Sequence, residues 1–230
     1  MAIYKGFDTK MCAFSNEIIA IVMAGGFGQR LNLGKSKALL SVDNKPLYIH
    51  CIEQLMRAGI YKIYLICDSI LQYEEYLNYS ISNPFVCVYK QIKSYGSTFL
   101  ILKEFLRINP ISDKIIFSYG HAPRPACHFS DMIKSSSDIV LTQFPYSSKR
   151  NKIRGIDGMY IEPPYLINAE LIDKSNDICW HNFFSNYSIK NLMILVLNAP
   201  NEFNFVFEFL EYSKYINNDY KYNQQVKEFV

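Results

Sequence analysis

The residues best suited to chemistry lie close together in one stretch, residues 18–37. Gly25, Gly26 and Gly28 fill three of four consecutive positions, so the backbone there can turn sharply and approach a ligand without Cβ interference. Basic side chains follow at Arg30, Lys35 and Lys37. A loop of exposed backbone N–H groups next to fixed positive charge suits the phosphates of a nucleotide. The stretch therefore predicts a nucleotide-phosphate site.

Other kinds of glycine-rich loop fit this stretch less well. A dinucleotide-binding fingerprint, G-x-G-x-x-G, needs a third glycine where the chain has Leu31, which disfavours an oxidoreductase. A P-loop ends in Gly-Lys-Ser, as Gly34, Lys35 and Ser36 do, but its first glycine would have to stand at Gln29. A tight strand-to-helix turn without a ligand is the remaining alternative.

The whole string favours a ligand. Residues 24–37 read A-G-G-x-G-x-R, with a lysine seven positions after the arginine. This pattern resembles the signature loop of nucleotidyltransferases, which join an NTP to a phosphorylated small molecule and release pyrophosphate. The superfamily includes sugar-1-phosphate nucleotidyltransferases and the methylerythritol-phosphate and ribitol-phosphate cytidylyltransferases. Its usual string is A-[AG]-G-x-G-x-R-M-x5-P-K, and this chain has Leu31 for the Met and Ser36 for the Pro.

The resemblance implies roles for these residues. The loop would bind the nucleotide through the backbone at Ala24, Gly25, Gly26 and Gly28, while Arg30 stabilises the leaving pyrophosphate and Lys37 contacts the α-phosphate. A second nucleotide-binding element matches further along the chain, where a Gly-Ser pair opens a helix. There, Gln91, Gly96 and Ser97 would read the base.

A third motif follows the fourth predicted strand, at residues 119–125. It resembles H-D-A-x-R-P of the cytidylyltransferases and Y-G-D-x-P of the sugar nucleotidyltransferases. Arg124 matches the family arginine and would act in catalysis, either by contacting phosphate or by pairing with a carboxylate. The family's metal-binding Asp, however, is His121 here, and Mg2+ takes imidazole poorly.

Three explanations of His121 stay open: another carboxylate holds the metal, a softer ion such as Mn2+ is used, or the protein no longer catalyses. Glu202 matches an acidic residue of the last family motif along the chain and is a further candidate metal ligand. The family lysine that grips the acceptor phosphate is Val196 in this chain.

Elements that could position these residues alternate along the chain. Apolar runs predict strands at 18–23, 60–67, 85–89, 114–118, 138–143, 158–161 and 192–197. Helical spacing predicts helices at 47–58, 71–77, 98–107, 130–135 and 203–215. We therefore expect an α/β fold: a single-domain, Rossmann-like three-layer sandwich with a mainly parallel, twisted sheet of about seven strands. The domain would span 17–215, between an N-terminal extension (1–16) and a frayed C-terminal tail (216–230).

Composition excludes several classes of function. The net charge of +3 is too small to indicate nucleic-acid binding. No apolar run approaches the roughly 18–20 residues that span a membrane. The six cysteines show no C-x-x-C pairing and are expected to be buried, reduced thiols of a cytoplasmic protein. A homodimer remains possible on the resemblance.

Two functions follow as expectations. The first is an Mg2+-dependent (or Mn2+-dependent) nucleotidyltransferase that joins an NTP, CTP or UTP rather than a purine nucleotide, to a phosphorylated sugar or polyol. It would be closest to the cytidylyltransferases. The second, suggested by His121 and Val196, is a non-catalytic protein that binds a nucleotide or sugar nucleotide on the same fold.

Overall fold

A mixed sheet with helices on both of its faces forms the framework of the chain. The computed structural model describes residues 18–26, 34–91, 96–111, 113–144, 153–154, 160–186, 192–197, 206–217 and 224–228. The strands are β1 (Ile19–Met23), β2 (Ser41–Val42), β3 (Lys45–Pro46), β4 (Ile63–Cys67), β5 (Val86–Lys90), β6 (Lys114–Tyr119), β7 (Ile139–Phe144), β8 (Ile153–Arg154), β9 (Tyr160–Ile161), β10 (Tyr165–Asn168), β11 (Leu192–Leu197) and β12 (Gln224–Glu228). The helices are α1 (Leu47–Arg57), α2 (Ile70–Ser82), α3 (Thr98–Ile108), α4 (Ala126–Lys134), α5 (Ala169–Lys174), α6 (Trp180–Asn186) and α7 (Val206–Asn217).

The order of the main sheet is β12-β11-β7-β10-β6-β1-β4-β5. Strand β1 pairs in parallel with β4 and β6, β4 with β5, and β7 with β11. Strand β10 is antiparallel to both β6 and β7. After β5 the chain crosses from one side of β1 to the other to form β6, so a topological switch point lies between the carboxyl ends of β1 and β6. Ligands bind at such points in open α/β sheets.

Alternation along β1 explains why this strand lies at the centre of the fold. Its five residues are all buried. Ala20 and Val22 face a cluster formed with α1, α2 and α4. Ile19, Ile21 and Met23 face a second cluster, formed with α3, α5 and α6. A strand that is apolar on both faces must be covered on both faces, and this produces the three layers.

Helix ends near the switch point are set by local sequence. Helix α1 begins after Pro46, whose fixed φ suits the start of a helix. Ser69 caps α2 by accepting a hydrogen bond from the Gln72 N–H. Ser97 caps α3 in the same way, through the Phe99 N–H (3.2 Å). Both caps lie at the sheet edge to which the parallel strands point.

The predicted α/β architecture is confirmed, with corrections in detail. The main sheet has ten strands in the described part of the chain rather than about seven, because β8, β10 and the C-terminal β12 were not predicted, whereas β9 lies within the predicted strand 158–161. The chain after Tyr215 is not simply frayed: α7 continues to Asn217, and β12 pairs antiparallel with β11.

The cysteines are also less uniformly buried than the sequence predicted. Cys51 and Cys67 are buried, but Cys87 and Cys127 are exposed on the surface. Among the described residues, none of the helices has the length and apolar character that crossing a bilayer requires.

Candidate nucleotide site

A cavity of about 320 Å³ opens at the carboxyl ends of β1, β4, β5 and β6. The described residues that line it are Met23, Gly25, Gly26, Ile66, Cys67, Asp68, Gln91, Gly96, Ser97, Thr98, Ile101, Tyr119 and His121. One part of the wall is apolar and aromatic, and the other part carries polar side chains and loop backbone. A nucleoside needs this combination, because its base has apolar faces and a hydrogen-bonding edge.

The glycine loop leaves β1 at the centre of this edge. The Ala24 N–H donates to the Ile66 carbonyl oxygen (2.8 Å), which continues the parallel pairing beyond the strand. At Gly25, an added Cβ would lie 3.1 Å from Cγ of Asp68, so the close approach of the two loops favours a glycine. Gly26 has a φ of +92°, a left-handed conformation that favours glycine as well.

Two side chains fix the carbonyl oxygen of Ala24 from behind the loop. It accepts hydrogen bonds from the hydroxyls of Ser36 (2.7 Å) and Tyr76 (2.9 Å). Ser36 also accepts from the Ala38 N–H (3.2 Å) and so caps a turn of 3-10 helix, Lys37–Leu39. Burial raises the pKa of Tyr76, which keeps its hydroxyl protonated as a donor.

Asp68 and Gln72 hold the loop from the side of β4. An Asp68 carboxylate oxygen, Oδ2, accepts from the Gly26 N–H (2.8 Å). The Gln72 amide donates to the Gly26 carbonyl oxygen (3.2 Å) and accepts from the Asp68 N–H (3.3 Å). Cys67 precedes this aspartate, and burial raises the pKa of its thiol to about 12, with the Asp68 charge adding to the effect. The thiol is therefore un-ionised at neutral pH.

The start of α3 forms another wall of the cavity. Gly96 adopts a left-handed conformation (φ +68°), which turns the chain into the helix cap at Ser97. The Thr98 hydroxyl accepts from the indole N–H of Trp180 (3.1 Å), so α6 helps to hold this end of α3. Gln91 is anchored by its backbone N–H, which donates to the Cys67 carbonyl oxygen (2.9 Å). The predicted base-reading residues are thus brought together with the glycine loop.

The turn after β6 completes the site. The Gly120 N–H donates to the Met23 carbonyl oxygen (2.9 Å), and a Cβ there would lie 3.3 Å from Cβ of Ala24. This close contact brings His121 to the cavity beside the glycine loop. The rings of Tyr119 and His121 stack at 5.2 Å with an interplanar angle of 15°. No group of three or more His, Cys, Asp or Glu side chains that could hold a metal occurs among the residues described.

The structure places two predicted catalytic residues away from the cavity lining. Arg124 is fully buried, with its guanidinium 4.5 Å from the centroid of the Phe144 ring and 5.9 Å from that of Tyr212. It therefore lies in the core and is not among the described residues that line the cavity. Lys37 is half-buried at the first position of the 3-10 helix that Ser36 ties to the loop, and it does not line the cavity either.

Several predicted residues lie outside the described part of the chain. Gly28, Arg30 and Glu202 are among them, and their assigned roles stay predictions. No site role was predicted for Asp68, Gln72 or Thr98, although Asp68 stands directly after a strand, where ligands gather. Tyr76 was missed too, because the bond that it makes spans 52 positions of sequence.

Comparisons with known proteins agree with this geometry. A model of the MobA-like NTP transferase domain matches residues 20–97, the part of the chain that holds the glycine loop, Asp68 and Gln91. The match supports an NTP transferase domain here. No curated protein matches the chain in sequence.

Solved structures show the same fold. Rv0371c from Mycobacterium tuberculosis is 13% identical with a TM-score of 0.61, over 86% of this chain and 99% of that one. A candidate glucose-1-phosphate thymidylyltransferase from Bacillus anthracis, solved with sucrose, is also 13% identical, with a TM-score of 0.66 over 90% of this chain and 96% of that one. At this identity the likeness establishes the α/β fold alone.

Proposed function

We propose that the protein is a nucleotidyltransferase that joins an NTP to a phosphorylated sugar or polyol and releases pyrophosphate. The observation that carries the proposal is the cavity itself, where the glycine loop, Gln91, the α3 cap at Ser97 and His121 meet at the switch point of the sheet. The MobA-like match over the same stretch and the thymidylyltransferase-like neighbour support this chemistry.

The reaction forms one bond and breaks another. A phosphate oxygen of the acceptor attacks the α-phosphorus of the NTP, the bond from that phosphorus to the β-phosphate bridging oxygen breaks, and pyrophosphate leaves with the electron pair. Such a transfer needs alignment and charge neutralisation more than covalent help from the protein. Arg30 and Lys37 are the residues to which we assign the neutralising charge.

The described residues would hold the nucleoside. The base would lie against the apolar wall of Met23, Ile66 and Ile101, with its edge toward Gln91 and Ser97. The side-chain amide of Gln91 both donates and accepts, so it can pair with either kind of group on a base edge. CTP and UTP are the nucleotides that the cytidylyltransferase resemblance favours.

A divalent metal ion would neutralise charge on the phosphates. Mg2+ is commonly held by one or two carboxylates together with the phosphates of its substrate. The cavity lining offers the Asp68 carboxylate and the His121 imidazole. This donor set fits an ion that arrives with the nucleotide, and Glu202 is a further candidate ligand outside the described residues. Mn2+, which accepts imidazole more readily, is the alternative ion.

A second function is a catalytically inactive protein that binds a nucleotide or sugar nucleotide. Two observations favour it: His121 stands where the related families have a metal-binding Asp, and the matching Arg124 is buried in the core. Both functions share nucleotide binding at the cavity and differ only in turnover.

Pyrophosphate release separates the two functions. The wild-type protein would be assayed with each of four NTPs and a panel of sugar and polyol phosphates, with Mg2+ and with Mn2+. Turnover that Lys37→Ala removes, and that Lys134→Ala at the exposed end of α4 retains, is the expected result. If the wild type releases no pyrophosphate but the His121→Asp variant does, the protein is a disabled catalyst. If neither the wild type nor His121→Asp releases pyrophosphate while an NTP still binds, the protein is a binding protein.

A further inference from the structure

The carboxylate of Asp68 contacts the glycine loop at a backbone N–H, the kind of group with which such a loop binds phosphate. Its Oδ2 accepts the Gly26 N–H (2.8 Å), one of the backbone donors that the loop offers to an anion. Its Cγ lies 3.1 Å from the position that a Cβ on Gly25 would take. Gln72 contacts the residues on both sides of this bond, at the Gly26 carbonyl oxygen and the Asp68 N–H. The negative charge is thus held against the loop.

Among the described residues that line the cavity, His121 has the one side chain that could balance this charge. Asp68 is the one acidic residue among the described residues that line it, and none of these is a lysine or an arginine. The second carboxylate oxygen, Oδ1, is buried and has no hydrogen-bond partner in the described structure. A buried carboxylate oxygen without a partner is unfavourable, because it has lost its hydration without a replacement.

A triphosphate bound at this loop would meet a like charge. Two unit negative charges 4 Å apart lower an affinity about fivefold even at the dielectric constant of water, and more in a partly buried site. A divalent cation on the phosphates removes two of their negative charges and places positive charge beside Asp68. The Asp68 carboxylate therefore weakens the binding of metal-free nucleotide but allows the metal complex to bind.

We propose that Asp68 is a specificity-determining residue that makes the site select the divalent-metal complex of the nucleotide over the metal-free nucleotide. The proposal rests on the proposed function, since it needs an NTP at the glycine loop. The proposal also explains how a site with His121 in place of a metal-binding Asp could work. The protein need not hold the metal in advance, because Asp68 admits the nucleotide together with its ion.

Nucleotide binding without acceptor tests the proposal. Isothermal titration would measure the affinity of four NTPs in excess EDTA and in excess Mg2+. The variants are Asp68→Asn, whose side-chain oxygen can still accept from the Gly26 N–H, and Asp113→Asn as the charge-matched control. Asp113 is exposed and stands just before β6, at the opposite edge of the sheet from the cavity. Asp68→Ser is the second variant, should Asp68→Asn fail to fold.

We expect Asp68→Asn to bind metal-free NTP at least about fivefold more tightly than the wild type, so that the ratio of Mg2+ to EDTA affinities falls by the same factor. Asp113→Asn should keep the wild-type ratio. An unchanged ratio in both Asp68 variants, or equal weakening in Mg2+ and in EDTA, would overturn the proposal and leave Asp68 a purely structural residue. If the wild type binds no NTP under either condition, the proposed function itself fails.

Discussion

The hydroxyl of Ser36 donates a 2.7 Å hydrogen bond to the carbonyl oxygen of Ala24, across the base of the glycine loop. Ser36 is fully buried and holds a φ of −60°, the value that a proline would have imposed. The serine therefore keeps the backbone conformation that suits the proline in the nucleotidyltransferase loop that this stretch resembles. It adds a hydrogen bond that proline cannot make, and this bond ties the Lys37 segment to the loop.

Replacing Ser36 tests this connection. Ser36→Ala should lower the free energy of unfolding by about 1–2 kcal/mol, because the Ala24 carbonyl oxygen loses a donor and the 3-10 helix loses its cap. Chemical denaturation would measure the change. Ser80→Ala is the matched control, since its hydroxyl only bonds back within α2, to the Leu77 carbonyl oxygen. Equal losses in the two variants would contradict a special role for Ser36.

The approach of Gly25 to Asp68 makes a second prediction. Gly25→Ala should destabilise the protein by about 1–3 kcal/mol and weaken nucleotide binding, because the new methyl group would lie 3.1 Å from Cγ of Asp68 and 3.2 Å from its backbone N. Combining Gly25→Ala with Asp68→Ala should recover part of the stability, since the side-chain contact is relieved while the backbone contact remains. Additive losses in this double-mutant cycle would mean that the two residues are not in contact.

The central elements were predictable because each depends on a local pattern. The apolar runs that become β1 and β11 must be buried wherever they occur, and the helical spacing of α1 and α3 likewise defines its own buried face. The glycine loop and the Gly96–Ser97 cap were predictable for the same reason, since glycine and serine act on their own backbone.

What the sequence could not show depends on contacts between distant residues. The bond from Gly26 to Asp68 joins positions 42 apart, and the bond from Trp180 to Thr98 joins positions 82 apart. Strand β12 has a mostly polar sequence, QQVKE, and lies at the edge of the sheet, so no apolar run marks it. The burial of Arg124 was missed because an arginine after a strand is normally expected at the surface.

Arg124 and Lys37 should respond differently to truncation. Arg124→Ala should cost at least about 3 kcal/mol of unfolding free energy, because it removes a buried side chain whose guanidinium lies 4.5 Å from the Phe144 ring centroid. Lys37→Ala should cost less than about 1 kcal/mol and act on nucleotide turnover instead. Thermal unfolding and pyrophosphate release would be measured on both. A fully stable Arg124→Ala protein without activity would support the catalytic role predicted from sequence.

Burial of Cys51 predicts a loss of stability at alkaline pH. Burial raises the pKa of this thiol to about 12, although the neighbouring Ser118 and the charge of Arg124 oppose the shift. The folded protein therefore keeps a proton that the unfolded chain loses above pH 9, and stability falls as pH rises from 9 to 12. The expected slope is about 1.4 kcal/mol per pH unit for this thiol. Cys51→Ala should remove that part of the slope in denaturation curves, whereas Cys127→Ala, on the surface, should not.

Trp180 should report on nucleotide binding at the cavity. It is the single tryptophan of the chain, and its indole N–H donates to the hydroxyl of Thr98, which lines the site. A nucleotide that contacts the start of α3 should therefore change the fluorescence of the protein.

Thr98→Val removes the acceptor and leaves a largely buried indole N–H unpaired, at a cost of about 1–3 kcal/mol. We expect this variant to show a shifted emission maximum, a weaker affinity for the nucleotide and a smaller response to it. Ile101→Val, which alters the same cavity without touching this bond, should keep the wild-type emission maximum. Nucleotide binding that is measurable by calorimetry but leaves the wild-type emission unchanged would show that α6 does not sense the site.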